Sequence, residues 1–309
     1  MKIGGLSVKQ LSQPVPRLYN ARETRLAWLF ITPYLIGYTL FHFLPLVMSF
    51  LMSFTNLKYI SRLDKVKFIG LSNYTEMFGD EMFLGSLWNS VLFTLMYVPF
   101  ILVVGLALAV LVNKKLYARN LIRSMIFMPY VSNMVAVAVV WSILLDPISG
   151  PINMTLKALG IADPPMWLMS SDSALPTVAM IAIWQGVGLQ FITYLAALQN
   201  VPVELKEAAS IDGANTRQIF FHVTLPSILP TTFLLTITSI IGSLKNFTII
   251  QVMTAGGPGN ATTVLPLNII NTAFSTMRMG YASAQAMVMF VIVMVVTAVQ
   301  WKLQKKYVD

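Results

Sequence analysis

Seven stretches of the chain contain no Lys, Arg, Asp or Glu: 26–57, 82–113, 124–145, 173–203, 218–244, 246–277 and 279–301. A helix that crosses the hydrocarbon core of a bilayer needs about 20 apolar residues. Trimmed at polar and Gly/Pro clusters, the stretches predict six spanning helices: Trp28–Phe50, Asn89–Val112, Ile122–Leu145, Leu175–Leu198, Ser227–Met253 and Ala282–Trp301. The stretch 246–277 predicts no span of its own. Its middle reads Ala255-Gly256-Gly257-Pro258-Gly259-Asn260, and backbone of that kind cannot cross lipid with its polar groups unsatisfied. A short re-entrant helix is expected near Leu267–Phe274. The connections 54–85 and 146–173 are long, the second with a short amphipathic piece at Asn153–Leu159. The first apolar run is too long for a signal-peptide core and no small-residue cleavage site follows it, so a retained helix is expected.

Composition agrees. The chain has 309 residues, 56% apolar and 11% charged, with a mean hydropathy of +0.71. A soluble domain carries about 25% charged residues. An ordinary water-soluble enzyme is thereby excluded, and so is disorder, which needs low hydrophobicity. The absence of Cys rules out a disulfide scaffold, a thiolate metal site and a cysteine nucleophile. Two histidines, His42 and His222, leave little room for an imidazole metal site.

The net charge of +9 becomes a topology signal once the basic residues are placed. One side collects Lys2, Lys9, Arg17, Arg22 and Arg25, then Lys114, Lys115, Arg119 and Arg123, then Lys206 and Arg217, and finally Lys302, Lys305 and Lys306. The other side holds Lys58, Arg62, Lys65, Lys67, Lys157 and Arg278. The richer side is expected to be cytoplasmic, and both termini fall on it. No basic stripe interleaved with aromatics points to nucleic acid. The expected organisation is a tail over 1–25, one membrane domain over 26–301, and a tail over 302–309.

One cytoplasmic segment, about 200–226, is unlike a linker. Pro202 suits the first turn of a helix, with Asn200 or the preceding backbone as its cap. Glu204 and Glu207 suit the positive end of its dipole. Gly213 breaks the helix, and Asn215 or Thr216 can cap a second one with Ile219, Phe220 and Val223 on its apolar face. Pro226 is expected to end it. Two short helices at an angle make a knob for a partner's groove, although an ordinary loop lying on the membrane surface fits the same residues.

Glu207-Ala208-Ala209, three residues, Gly213, nine residues and then Val223-x-Leu225-Pro226 resembles the EAA loop of permease subunits in binding-protein-dependent ABC importers. Val223 stands where that pattern usually has Ile. Thr32-Pro33-Tyr34-Leu35 with Pro45, Phe68-Ile69-Gly70-Leu71-Ser72-Asn73-Tyr74, and Thr254-Ala255-Gly256-Gly257-Pro258 with Gly280-Tyr281-Ala282 resemble the carbohydrate branch. The resemblance implies an all-α integral membrane protein of the type I importer-permease fold in a prokaryotic plasma membrane. It implies three partners: a second, distinct permease subunit, a cytoplasmic ATPase dimer and an extracellular or periplasmic substrate-binding protein. In this reading Glu207 pairs with a basic residue of the ATPase, Ala208 and Ala209 allow close approach, Gly213 sets the angle between the helices, and Leu225 and Pro226 complete the pattern. The chain has no Gly-x-x-x-x-Gly-Lys-Ser/Thr phosphate cradle. ATP and Mg are therefore expected on the partner, and no cofactor on this chain.

Sugar recognition needs polar groups for hydroxyls and aromatic faces for ring C–H surfaces. Within the predicted spans those residues are Asn89, Tyr97, Asn133, Trp141, Trp184, Gln185, Gln190, Tyr194, Lys245, Asn246 and Gln251. Intramembrane polar groups usually face a bundle interior, yet many only join helices. Trp184-Gln185 and Lys245-Asn246 are the favoured pairs, and Lys245 is the one formally charged residue well inside a predicted span, eight residues before the end of the fifth. A secondary transporter or channel is the competing reading, but it would need intramembrane carboxylates and the spans hold none. A membrane-embedded hydrolase or transferase lacks a nucleophile–base pair. Importers of non-sugar solutes remain an alternative within the class.

Overall fold

In a computed structural model the described residues are 21–60, 64, 66–114 and 118–307. Most of the expected N-terminal tail, with Lys2, Lys9 and Arg17, lies outside them, as do Arg62, Lys65, Lys115 and residues 308–309. The chain forms two compact units, residues 1–49 and 50–309.

In the first unit, helix α1 (Ala21–Tyr38) passes through a π-helical turn at Thr39–Phe43 into α2 (Leu44–Met52). The apolar stretch Thr24–Met52 is 29 residues long, against the Trp28–Phe50 read from the sequence. The π turn ends two residues before Pro45. A proline ring collides with the carbonyl four residues back in a regular helix, and a widened turn there relieves that collision. Tyr34, Tyr38 and His42, four residues apart, stack in a ladder with centroid separations of 6.2 and 5.3 Å.

The second unit continues through α3 (Ser72–Met77), α4 (Glu81–Asn113), α5 (Arg119–Val131), α6 (Met134–Leu144), α7 (Pro151–Ala158), α8 (Ser171–Gln199), α9 (Val203–Ile211) and α10 (Thr216–Ile219). A π turn at Phe220–Thr224 leads into α11 (Leu225–Ser227), followed by α12 (Leu229–Lys245), α13 (Thr248–Met253), α14 (Leu265–Ile270) and α15 (Met279–Tyr307). Among the described residues the extended backbone pairs once, at the isolated bridge Thr55–Phe68.

Among the described residues four stretches are long and apolar enough to cross a membrane: Thr24–Met52, Glu81–Asn113, Ser171–Gln199 and Met279–Gln304. Helix α4 starts eight residues earlier than the apolar run predicts. Asp80 caps it by accepting from the N–H groups of Met82 (2.9 Å) and Phe83 (3.3 Å), and Glu81 sits at the positive end of the dipole. The short amphipathic piece appears as α7, and the re-entrant piece as α14 with a π turn at Asn271–Ser275.

Two expected spans are not straight. The third is α5 and α6 bent by 96°. Ser132 and Asn133 are extended, and the Asn133 side chain caps α6 through Val135 N–H (2.9 Å) and Ala136 N–H (3.3 Å). Ser132-Asn133 is a helix-start signature hidden inside an apolar run. The fifth, expected over Ser227–Met253, bends by 62° between Thr216–Ser227 and α12. It then stops at Lys245, where Asn246 (ψ 116) and Phe247 (φ −129) leave helical geometry. Lys245 is therefore the last residue of α12 rather than a mid-helix cation, at the negative end of the dipole that favours it.

Helices α4 and α8 form the central pair, and glycines let them touch. A Cβ on Gly105 would sit 2.7 Å from Gln190 Cβ, and one on Gly186 would sit 2.7 Å from the Tyr97 hydroxyl. Gly188 does the same for α5, with Phe127 Cα 3.1 Å from where its Cβ would be. Close approach through small residues is the usual means of packing helices where lipid competes for apolar contacts. One core, containing Phe93, Ala138, Ile181, Ile249, Ile250 and Leu267, joins α4, α6, α8, α13 and α14. A second, around Phe191, Tyr194 and Leu198, joins α8 to α4 and α12.

Candidate functional site

The segment over 200–226 is built as two short helices. Pro202 is the cap residue of α9, one position before the first turn in which the sequence placed it. The end of α9 is closed by Gly213 at φ +83. Its N–H donates to Ser210 O (3.1 Å) and that of Ala214 to Ala209 O (2.9 Å), a helix stop that glycine allows because it carries no Cβ. Two residues later Asn215 starts α10 with a reciprocal cap: Asn215 Oδ1 accepts from Gln218 N–H (2.9 Å) and Gln218 Oε1 accepts from Asn215 N–H (2.8 Å). Pro226 does not end the second helix. It lies within the continuous Thr216–Ser227, two residues after the π turn, and the break comes at Ile228 (φ −98, ψ 3) just before Pro230. The arrangement of π turn and proline is the one found at Pro45.

The knob exposes its chemistry. Glu207, Ala208 and Gly213 are exposed and Ala209 is half-buried. Ile211 is 87% exposed, with Val203 and Leu205 also largely exposed. Leu225 is half-buried and Pro226 exposed. His222 Nδ1 lies 3.0 Å from Gln218 O.

Residues of the softer sequence motifs at 68–74, 254–258 and 280–282, with their neighbours, meet near the start of α4. Arg278 donates to both Glu76 oxygens (2.7 and 2.6 Å) and lies 4.4 Å over the Tyr281 ring. The adjacent carboxylate holds the Arg278 proton more firmly than usual. Tyr281 donates to Asp80 Oδ2 (2.6 Å). Asn73 donates to Ser53 O (2.7 Å) and Thr55 O (3.0 Å), and Tyr74 to Ser53 Oγ (2.7 Å). In the loop 254–264 the backbone is left-handed at Ala255, Gly256, Gly259 and Asn260. Thr262 ties it to Gly257 O (2.8 Å), and Thr263 ties it to Gly256 O (3.1 Å). Asn89, a pathway residue in the sequence reading, spends its amide on Asn260 O and Thr263 O, both at 3.0 Å. At the nearby turn, Asp146 accepts from Ile148 N–H (3.0 Å) and from Ser149 N–H (2.7 Å) and Oγ (2.9 Å). The Ser149 bonds hold its carboxyl below the ordinary range.

The remaining pathway residues divide. Trp184 is 44% exposed and meets Trp141 edge to face at 5.4 Å. Trp141 and Phe247 pack on one core, so the break after Lys245 and the tryptophan pair border the same cluster. Lys245 and Gln251 are exposed and Asn246 is half-buried. Gln185 is 7% and Tyr194 1% exposed. Tyr97 stacks on Phe93 at 5.8 Å. Gln190 donates to Ser239 Oγ (3.2 Å) across α8 and α12, and the Asn133 oxygen is committed to its cap. Gln190 thus joins two helices, while Asn133 serves the start of its own.

A polar seam escaped the sequence reading. Ser86, Ser90 and Thr94 line one face of α4 at a spacing of four. Ser86 Oγ accepts from Asn268 Nδ2 (3.2 Å) and Ser90 Oγ from Leu265 N–H (2.8 Å), while Thr94 Oγ1 accepts from Ser243 Oγ (2.9 Å). The i, i+4 spacing was the available signal. Short hydroxyls do not interrupt an apolar run, so nothing in the hydropathy pattern set them apart.

Residues 101–308 match the family described as binding-protein-dependent transport system inner membrane component. The chain is 35% identical over 294 residues to the probable ABC transporter permease protein YesP of Bacillus subtilis (strain 168), covering 94% of each chain. It is 32% identical over 283 residues to the probable starch degradation products transport system permease protein AmyD of Thermoanaerobacterium thermosulfurigenes, covering 90% of this chain and 94% of that one. The crystal structure of a bacterial ABC transporter involved in the import of the acidic polysaccharide alginate superposes with a TM-score of 0.82 at 23% identity, over 93% of this chain and 98% of that chain, which shows a shared fold. An all-helical chain with several membrane-length apolar helices, a projecting EAA-type knob and a family match over two thirds of its length belongs to the binding-protein-dependent transport system inner membrane components, multi-pass proteins of the prokaryotic plasma membrane.

Proposed function

We propose that this chain is a translocation-pathway subunit of an ATP-driven importer for a carbohydrate, an oligo- or disaccharide. The observation that carries the importer reading is the knob. Glu207, Ala208 and Ala209 stand on an exposed two-helix projection hinged at Gly213, with apolar Ile211 left bare at its tip. Such a surface fits a groove of a separate ATPase, which supplies ATP and Mg while this chain binds no cofactor and catalyses no reaction. The carbohydrate reading is supported by AmyD, whose description names starch degradation products.

In this reading each bent helix pair is one span, which makes six with the four straight ones, and the termini and the knob face the cytoplasm as the basic residues imply. A second, distinct permease subunit completes the pathway, and a substrate-binding protein delivers the sugar from outside. Trp184 and Trp141 offer aromatic faces to sugar C–H surfaces. Lys245, Asn246 and Gln251, exposed or half-buried near the α12–α13 break, offer donors and acceptors to hydroxyls.

The test is reconstituted uptake. The chain alone should transport nothing, and addition of its ATPase, partner permease and binding protein should restore uptake. Glu207→Ala should weaken ATPase docking by about thirtyfold, the cost of roughly 2 kcal/mol for truncating one member of a desolvated charge pair, while leaving the protein inserted. Uptake by the chain alone would make it a self-sufficient transporter instead.

A further inference from the structure

Arg119 opens α5, and Arg123 lies one turn further along the same face. Both reach across to Gln199, the last residue of α8. With the Gln199 amide turned so that its oxygen accepts, Arg119 Nη2 donates to it at 2.6 Å and Arg123 Nη2 at 2.9 Å. Two full positive charges thus converge on one neutral oxygen. Among the described residues no carboxylate lies within ion-pair distance of either guanidinium, and each Nε is shielded from solvent without an acceptor. The surrounding sequence deepens the imbalance. Lys114 and Lys115 precede the pair, and no Asp or Glu occurs between Glu81 and Asp146.

Guanidinium groups held this close on a shared neutral acceptor repel each other unless an anion joins them. Position indicates which anion. Helix α5 begins here and the membrane-length α8 ends here, so in the proposed six-span reading, on which this inference rests, the pair lies where spanning helices meet the headgroup layer. A phosphodiester at that depth has two anionic oxygens, and the planar fork of each arginine suits one of them. Basic pockets between helices on the cytoplasmic side recognise lipid headgroups through this chemistry.

We propose that Arg119 and Arg123 form a binding site for the phosphate of an anionic phospholipid, seated between the start of α5 and the end of α8. Gln199 directly precedes Asn200 and Pro202, the entry to α9, so the headgroup fastens the root of the projecting knob. The site does not depend on which solute is carried.

The experiment uses the complete transporter in nanodiscs of phosphatidylcholine with a minor fraction of phosphatidylglycerol. Retained lipid is counted by native mass spectrometry. The unaltered protein should hold phosphatidylglycerol in preference to phosphatidylcholine. Each basic side chain near an anionic surface contributes a factor of about five, so Arg119→Gln with Arg123→Gln should lower that preference by about thirtyfold. Lys302→Gln, a cation removed from the same side but outside the site, should leave it unchanged. Arg119→Lys with Arg123→Lys, which keeps both charges but not the planar forks and guards against misfolding, should lower it by clearly less than the glutamine pair. Equal phosphatidylglycerol retention in the glutamine variant would overturn the proposal. So would complete displacement of the lipid by inorganic phosphate, which would make this a free-anion site. Unchanged lipid with lost ATPase co-purification would assign the pair to an ATPase carboxylate and overturn it equally.

Discussion

Gly280 sits where a side chain has no room. A Cβ there would collide with Thr55 O, and the Gly280 N–H donates to Leu57 O at 2.9 Å. The backbone of the loop before α3 and the start of α15 are in direct contact at this point. Gly280→Ala should therefore destabilise the protein by about 1–3 kcal/mol, the cost of overpacking a site whose neighbours are backbone. Thermal unfolding in detergent would measure this. Gly242→Ala, with nothing within 4 Å of the added atom, should be neutral or gain up to about 1 kcal/mol of helix propensity. The Glu76–Arg278 bridge beside Gly280 is 41–47% exposed, and exposed pairs contribute about 1 kcal/mol or less. Glu76→Gln should shift the midpoint far less than Gly280→Ala, and less still at high salt. An equal shift would mean that the charge pair, rather than the backbone contact, holds this corner.

At the scale of elements, the knob is stabilised by local bonds at its turn. Gly213 closes α9 in a left-handed conformation and Asn215 opens α10. Removing the Asn215 side chain should cost about 1 kcal/mol, enough to fray α10 without unfolding the membrane helices. Gly213→Pro is more severe. It fixes φ near −65° where +83 is needed, and it removes an N–H that bonds Ser210 O. Its expected outcome is normal insertion with loss of both ATPase co-purification and uptake. Normal yield of the ATPase complex with normal uptake would remove the knob from the coupling route. The seam between α4 and α12 should behave differently. Ser243→Ala should cost about 0.6 kcal/mol, the usual worth of an interhelical hydrogen bond in a membrane, with coupling intact.

Taken whole, the molecule leaves its chemistry at its surfaces. The α4–α8 pair is packed through glycines, the corner at the start of α4 is tied by Arg278 and Tyr281, and Trp184 and Lys245 stay exposed beside the core. In the proposed assembly a second, distinct permease completes the pathway, so a functional homodimer of this chain would contradict it. Lys245 tests the pathway at this scale. Lys245→Met, in a transporter that still assembles, should raise the apparent KM for the sugar at least about tenfold, since a hydrogen bond from a charged donor contributes about 1.5–3 kcal/mol. Unchanged affinity and rate would place Lys245 on a hydrated wall away from the solute.

The charge-free runs of about 20 residues were enough to place the chain in a membrane and to mark its long apolar helices, because such runs find no comparable solvent in water. The sequence also marked the knob, since Gly213, Asn215 and the glutamates act within a few residues of one another. What it could not settle was decided by contacts distant in the chain. Asn89 and Asn133 read as pathway residues until one is found bonded to a loop 171–174 residues away and the other to its own helix start. Asn73, Tyr74, Gly280 and Tyr281 read as marks of a solute class, and the fold uses the first two to tie α3 to the loop before it and the last two to tie α15 to that loop and to the start of α4. Lys245 read as a mid-span cation because a helix break at Asn246-Phe247 leaves no trace in hydropathy. Hydropathy registers only which medium a residue prefers. Bends, caps and cross-helix bonds depend on which partners tertiary packing brings within reach.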